Sequence, residues 1–145
     1  MLALGQTKVL MLKLTVVTPE KKLVTDVEVD EVFLPAFRGE LNVLEGHAPL
    51  MTTLTAGTVQ FRRKGATNNE RVAVSWGYCE VAGNNINILA ETAERPDEID
   101  LSRAEAALKT AEGKMITEAD PELVERARLK RERALVRISV SRIPH

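Results

Sequence analysis

The chain has 145 residues, with 20 lysines and arginines against 21 aspartates and glutamates, so its formal net charge is −1. A protein that neutralises several nucleic-acid phosphates needs a basic surplus, and this balance argues against a nucleic-acid partner. Aromatic residues make up only 3% of the chain, which predicts a core of aliphatic side chains and disfavours a surface that stacks bases or sugars.

The first ten residues lack the continuous apolar segment and the small-residue cleavage site of a secretory signal peptide. We interpret residues 1–10 as an N-terminal extension and expect it to be disordered. No stretch approaches the roughly 20 apolar residues that a membrane-spanning helix needs. The single cysteine, Cys79, allows no internal disulfide, which fits a protein made and kept in the cytosol.

Residues 11–94 have the pattern of an antiparallel β-sandwich, because short β-branched runs alternate with turn residues about every eight to twelve positions. The polar and apolar alternation slips by one position at Asp30 and Glu31, which predicts a β-bulge. The predicted strands cover residues 13–18, 23–24, 26–34, 57–63, 71–76, 78–81 and 86–90.

Residues 95–145 have helical spacing of apolar residues and predict an antiparallel two-helix hairpin. The first helix is predicted to start after Asp100 as its N-cap and to fray near Gly113. The second is predicted to start at Pro121, with Asp120 as its N-cap. The predicted fold is therefore α+β in two parts, a β-sandwich followed by a helical hairpin. Its alanine-rich seam buries little area, so we expect a hairpin that detaches readily.

The charges of the predicted hairpin are segregated, with acids dominant over residues 97–125 and bases dominant over residues 126–142. One interpretation is a solvated helix whose charges match its macrodipole. The other is a basic surface that binds an acidic partner or a phosphate ligand. The basic residues are Arg126, Arg128, Lys130, Arg131, Arg133 and Arg137, followed by Arg142.

No catalytic motif is present: the chain has no glycine-rich phosphate loop, nucleophile elbow or zinc-protease helix. His47 has no cysteine or second histidine nearby, so we predict a turn histidine bonded to the backbone, and no metal site. Cys79 lies in an apolar run, where thiols are usually inert. A nucleophile pair of Cys79 and His47 is the enzymatic alternative.

Three stretches resemble the epsilon subunit of bacterial F-type ATP synthases, in the order of the predicted elements. They are FLPAFRGELNVLEGHAPLMTTLTAG at 33–57, VAVSWGYCEVAGNNINILAETAE at 72–94 and IDLSRA at 99–104. With TVVTPEKKL at 15–23 and RALVRISV at 133–140, the resemblance covers nearly all of residues 12–140. The chain departs from the family at Asn42, where glycine is usual, at Glu45, where proline is usual, and at Trp76.

The resemblance implies a non-catalytic rotor subunit in the central stalk of a proton-translocating ATP synthase. Its sandwich would bind the gamma subunit and rest on the ring of c subunits, with Glu40 and His47 facing the ring. The protein would lie at the cytoplasmic face of the bacterial cell membrane, in contact with it only through the complex. Extended along gamma, the basic second helix would lie near an acidic loop of the catalytic beta subunits and inhibit ATP hydrolysis.

The resemblance also implies ATP as a regulatory ligand of the folded hairpin, with no cofactor required. Arg133 and Arg137 are four positions apart on one helical face, where both can meet phosphates, whereas Arg103 could instead pair with an acid of the second helix. Thr110 replaces an arginine of nucleotide-binding members, which leaves ATP binding open. The alternative function is a free-standing ATP-sensing module. The matching positions are Glu94, Ile99, Asp100, Arg103, Ala104, Arg133 and Arg137.

Overall fold

The computed structural model describes residues 11–142, and the expectation for residues 1–10 lies outside this range. A β-sandwich is followed by a short 3₁₀ helix and two α-helices. The strands are β1 Leu12–Val17, β2 Lys22–Ala36, β3 Gly39–Leu44, β4 Leu50–Leu54, β5 Gly57–Arg63, β6 Glu70–Ala82 and β7 Asn85–Glu94. The 3₁₀ helix is Pro96–Glu98, and the α-helices are α1 Leu101–Thr117 and α2 Pro121–Arg142.

The strands pair in the order β1-β7-β6-β4-β2-β3, with β5 between β2 and β6 and a further pairing of β1 with β2. Only the pairing of β1 with β7 is parallel among the described strands. The long strands β2 and β6 change partners along their length, which folds the sheet into a sandwich. The register of β2 against β5 shifts between Val29 and Glu31, which confirms the predicted bulge.

Two pairs of predicted strands are each one continuous strand. Residues 23–24 and 26–34 belong to β2, and residues 71–76 and 78–81 belong to β6. Asp26 and Trp76, with φ angles of +47° and +38°, lie within these strands rather than ending them. The gaps between these predicted strands, at residues 25 and 77, are therefore not strand ends.

Strands β3 and β4 were not predicted, and the residues of β3 explain why that strand was missed. The sequence of β3, GELNVL, contains glycine, glutamate and asparagine, which are depleted in strands, and Val43 is its one fully buried residue. Pairing with β2 from Glu31–Leu44 to Ala36–Gly39 holds β3 in place. Tertiary pairing, rather than local propensity, forms this strand.

The sandwich core is aliphatic, as the composition predicts. Phe61 is the only aromatic residue among its buried members in the described part of the chain. Cys79 is fully buried in the same cluster, which confirms that it is a small apolar core residue. The largest fully buried side chains besides Phe61 are Leu12, Leu14, Leu34, Ile86, Ile88, Val16, Val32, Val43, Val59, Val72 and Val81.

Both helix starts are confirmed. The Asp100 carboxylate accepts a hydrogen bond from the Arg103 backbone N–H at 3.1 Å, and Asp120 accepts one from the Glu122 N–H at 2.9 Å. The predicted fraying near Gly113 is wrong, because α1 continues to Thr117. Packing against α2 outweighs the low helix propensity of glycine there.

The two helices form an antiparallel hairpin with an alanine seam. Ala104 and Ala111 of α1 are buried, as are Ala127 and Ala134 of α2. Beyond the alanines, α2 buries Ile138 and Val140, and it contacts β5, β6 and the 3₁₀ helix. The hairpin is therefore docked on the sandwich by the C-terminal half of α2.

Replacing Gly77 by alanine should destabilise the sandwich strongly. Gly77 has a φ of +151°, and an added Cβ would lie 2.0 Å from the Leu89 carbonyl oxygen. Since a backbone atom cannot move aside cheaply, we expect a loss of about 2–4 kcal/mol in the free energy of unfolding, measured by urea denaturation. Gly113→Ala is the control: its Cβ meets nothing within 4 Å, and it should gain about 0.5–1 kcal/mol. A Gly77→Ala protein as stable as the parent would contradict this packing.

The Cys79 thiol should be unreactive in the native protein. Burial, aided by the charge of Glu80, raises the pKa of Cys79 from 9.0 to about 12. At pH 8 the native chain should not react with Ellman's reagent, whereas one thiol per chain should react in denaturant, and Cys79→Ala should give no signal. Because the unfolded thiol ionises near pH 9, its ionisation should also lower the free energy of unfolding as the pH rises from 9 towards 12. Rapid labelling of the native chain would contradict this prediction and would support Cys79 as a reactive nucleophile.

Candidate functional site

A cavity of about 890 Å³ lies between α1, α2 and the end of β7, and we call it the hairpin cavity. It is lined by alanines of the seam between the helices and by charged side chains of both signs. Thr110, the residue that replaces an arginine of nucleotide-binding members, also lines it. All the residues proposed from the resemblance for ATP line this cavity: Glu94, Ile99, Asp100, Arg103, Ala104, Arg133 and Arg137.

The sandwich and the second helix are joined at one edge of the hairpin cavity. Arg137 Nε lies 2.5 Å from Glu94 Oε1, and both side chains are mostly buried, with exposed fractions of 29% and 24%. Such a charge-assisted hydrogen bond is stronger than a solvent-exposed ion pair. Both residues line the cavity on the side of β7.

The first helix contributes its N-terminus to the cavity. Asp100 is held by its capping bond to the backbone of Arg103, so its carboxylate is fixed at the start of α1. Within residues 11–142, Arg103 forms no ion pair, so the alternative interpretation that it pairs with an acid of α2 is not supported. The Arg103 side chain is exposed at the cavity and available to an anionic ligand.

Arg133 has a neighbour that sequence reasoning missed. Its guanidinium carbon lies 5.3 Å from the centroid of the Trp76 ring, on the sandwich. Its nearest carboxylate oxygen, on Glu91, is 3.9 Å from Nη2, which is an ion pair without a hydrogen bond. Arg133 Nε is buried without a partner among the described residues. The departure from the family at Trp76 was the only signal in the sequence for this contact.

The basic residues of α2 divide into two sets. Arg126, Lys130, Arg133 and Arg137 recur at helical spacing on one face and line the hairpin cavity. Arg128 and Arg131 lie outside it. Arg128 pairs with Glu125 and Glu132 along α2, Arg131 pairs with Glu112 of α1, and Arg126 also pairs with Glu122.

Carboxylates therefore compensate much of the basic cluster in the folded hairpin. The hydrogen bond from Arg128 lowers the pKa of the Glu125 carboxyl, in a pair that is open to solvent. Exposed pairs of this kind contribute little to stability. Their effect is to neutralise arginines of α2, so the folded hairpin presents less positive charge to a partner.

Glu40 and His47 lie on the sandwich, away from the hairpin cavity. Glu40 is exposed on β3, opposite Pro35 of β2, and His47 follows β3 in a turn. His47 Nδ1 lies 2.6 Å from the Ala48 carbonyl oxygen, which confirms the predicted turn histidine. At the tip of the same β2–β3 hairpin, Phe37 is 71% exposed.

The described residues, 11–142, provide neither a cluster of metal ligands nor a helix that could span a membrane. This range contains no group of three or more histidine, cysteine, aspartate or glutamate side chains placed to hold a metal ion. Neither of its long helices is sufficiently long and apolar to cross a membrane.

Comparison with known proteins places the chain in a family. The family model of the ATP synthase delta/epsilon chain β-sandwich domain matches residues 11–96. The ATP synthase epsilon chain of Bdellovibrio bacteriovorus is 49% identical over 107 residues, which cover 74% of this chain and 76% of that protein. That of Citrifermentans bemidjiense is 43% identical over 133 residues, 90% of this chain and 93% of that protein.

A solved structure shares the fold. A chain in the structure of the Euglena gracilis mitochondrial ATP synthase, described as OSCP, F1 and c-ring in rotational state 1, superposes with a TM-score of 0.76 at 21% identity. The match covers 85% of this chain and 76% of that chain. Together with the sequence matches across sandwich and hairpin, these findings show that the chain belongs to the family of ATP synthase epsilon chains.

Proposed function

We propose that the protein is a non-catalytic central-stalk subunit of a bacterial F-type ATP synthase that couples the gamma subunit to the c-ring. Its membership of the epsilon chain family supports this role. So does the shared fold with a chain of a complex that contains F1 and the c-ring. In this role it is a peripheral component at the cytoplasmic face of the cell membrane, reached only through the complex.

An exposed apolar face favours a subunit over the alternative, a free-standing ATP-sensing module. Met51, Tyr78 and Leu89 are 64%, 46% and 36% exposed on β4, β6 and β7. Tyr78 pairs directly with Leu89 across the sheet, and Thr53 beside Met51 pairs with Tyr78. A sensor that acts alone leaves this apolar face in contact with water, whereas a subunit buries it against gamma.

The contact with the c-ring is assigned to the tip of the β2–β3 hairpin and the turn that follows β3. Glu40 and His47 lie there, and the exposed ring of Phe37 adds an apolar anchor. Aromatic side chains contribute strongly to protein interfaces, and a carboxylate beside them gives the contact polar specificity.

The hairpin inhibits ATP hydrolysis when it extends, and its ion pairs support this part of the proposal. Arg131, Arg133 and Arg137 find their acidic neighbours outside α2, on Glu112, Glu91 and Glu94. Extension of α2 away from α1 and the sandwich breaks these pairs, together with the pair of Arg142 and Glu105, and frees four cations for the acidic loop of a beta subunit. The pairs of Arg126 and Arg128 lie within α2 and survive extension.

ATP binding in the hairpin cavity opposes that extension. The cavity has walls from β7, α1 and α2, so it exists only while the hairpin is folded. A ligand that binds only the folded state stabilises it by RT ln(1 + [L]/Kd). The convergence of the seven proposed residues on one cavity is the observation that carries this proposal.

Removing every residue after Glu94 should release the inhibition of hydrolysis. The truncated chain keeps the matched sandwich but loses the basic helix. In a complex reconstituted with gamma, the c-ring and the catalytic hexamer, we expect coupled proton transport to persist and hydrolysis to rise several-fold over the full chain. Circular dichroism checks that the sandwich stays folded, since α2 covers part of it. Equal hydrolysis rates with and without the hairpin would refute the inhibitory role.

Arg137→Ala should weaken ATP binding by about 10- to 100-fold, because a charged hydrogen bond is lost and Glu94 is left unpaired beside the phosphates. Arg142→Ala is the matched control: it removes the same charge from the same helix, but Arg142 pairs with Glu105 outside the cavity. Isothermal calorimetry of MgATP with the full chain measures both. Equal losses in the two variants would indicate a general charge effect, and the absence of binding by the parent would refute the nucleotide site.

A further inference from the structure

Trp76 occupies an unusual place in the sandwich. Strand β6 changes partner there: Val74 pairs with Gly57 of β5, and Gly77 pairs with Leu54 of β4. Trp76 has a φ of +38°, in the left-handed region that bulky L-residues rarely adopt. Glycine would meet this backbone requirement without strain, so the tryptophan side chain points to a role besides folding.

That role is indicated by the side chain that covers the ring. The guanidinium carbon of Arg133, on α2, lies 5.3 Å from the ring centroid, within the range of a cation–π contact. A guanidinium held over an aromatic ring keeps its N–H donors available at its edge. Trp76 therefore fixes the position of Arg133 without using the groups that bind an anion.

The protein leaves those donors largely unused. Among residues 11–142, the Arg133 side chain makes no hydrogen bond to a protein acceptor, and Glu91 stays 3.9 Å away. Arg137, one turn further along α2, is instead bonded to Glu94. Both arginines line the hairpin cavity. Arg133 is held by the Trp76 ring rather than by a hydrogen-bonded carboxylate, so its N–H donors are available to a phosphate.

We propose that Trp76 is a positioning residue for the anion site, and that its ring preorganises Arg133 to receive a nucleotide phosphate in the hairpin cavity. This inference rests on the ATP binding proposed above. A long arginine side chain loses rotamer freedom when a ligand orders it, and a side chain already ordered avoids that loss.

The decisive variant is Trp76→Gly in the full chain. It relieves the positive φ but also removes the packing of the ring, so thermal unfolding must show that the variant is folded at the temperature of the titration. Under that condition the affinity for MgATP should fall by about tenfold, as expected for loss of a desolvated cation–π contact. Trp76→Phe keeps an aromatic face and should lose about threefold. Phe33→Leu, an aromatic substitution on β2 outside the hairpin cavity, is the control and should bind like the parent.

A second readout follows the indole directly. Trp76 is the only tryptophan in the chain, so its emission reports on the guanidinium above it. MgATP should change this emission in the parent protein, and Arg133→Met should remove most of the change. A purely structural role for Trp76 predicts a change in stability and no selective effect on either signal.

The outcomes separate this inference from the proposed nucleotide site. Parent-like MgATP affinity in Trp76→Gly would overturn the positioning role and leave the site standing. Tighter binding in that variant would also overturn it, because the ring would then withhold Arg133 from the ligand. A parent protein that shows neither heat of binding nor a change in emission with millimolar MgATP would refute both the site and the positioning role.

Discussion

The C-terminal half of α2 holds the hairpin on the sandwich, and the hairpin cavity depends on that contact. The seam between the helices is made of alanines, which bury little area per residue, so the hairpin gains little from its own packing. The buried side chains of Ile138 and Val140, with the bond from Arg137 to Glu94, supply the attachment. Because Glu94 belongs to β7, detaching α2 removes one wall of the cavity.

In the proposed mechanism the same side chains serve attachment, ligand binding and inhibition, and inhibition excludes the other two uses. Arg137 cannot pair with Glu94 and with an acidic partner of the extended helix at the same time. Arg133 cannot remain over Trp76 once α2 has moved. In the proposed mechanism, a nucleotide in the cavity and an acidic loop therefore compete for the same guanidinium groups. Differences of a few kcal/mol between the two states are sufficient to shift such an equilibrium nearly completely.

Local rules predicted the features that depend on neighbouring residues. Asp100, and Asp120 followed by Pro121, mark the helix starts because capping and a fixed φ act within one turn. The bulge beside Asp30 was visible as a slip in alternation. Strand β3 was missed because its pairing with β2 forms it, and no alternation within GELNVL shows that. The contact of Trp76 with Arg133 joins positions far apart in the chain, and helical spacing gives the face of an arginine but not its partner.

The charge pattern shows most clearly what a linear reading cannot supply. Along the chain, acids and bases of the hairpin are separated, which suggests an exposed basic helix. Folding the helices antiparallel places Glu105 beside Arg142 and Glu112 beside Arg131, so part of that basic surface is neutralised. The cationic surface of α2 is thus a property of one conformation rather than of the sequence. In the proposed extension, α2 loses its acidic partners and becomes more cationic as it leaves the sandwich. It therefore attracts an acidic partner more strongly in the extended state than in the folded state.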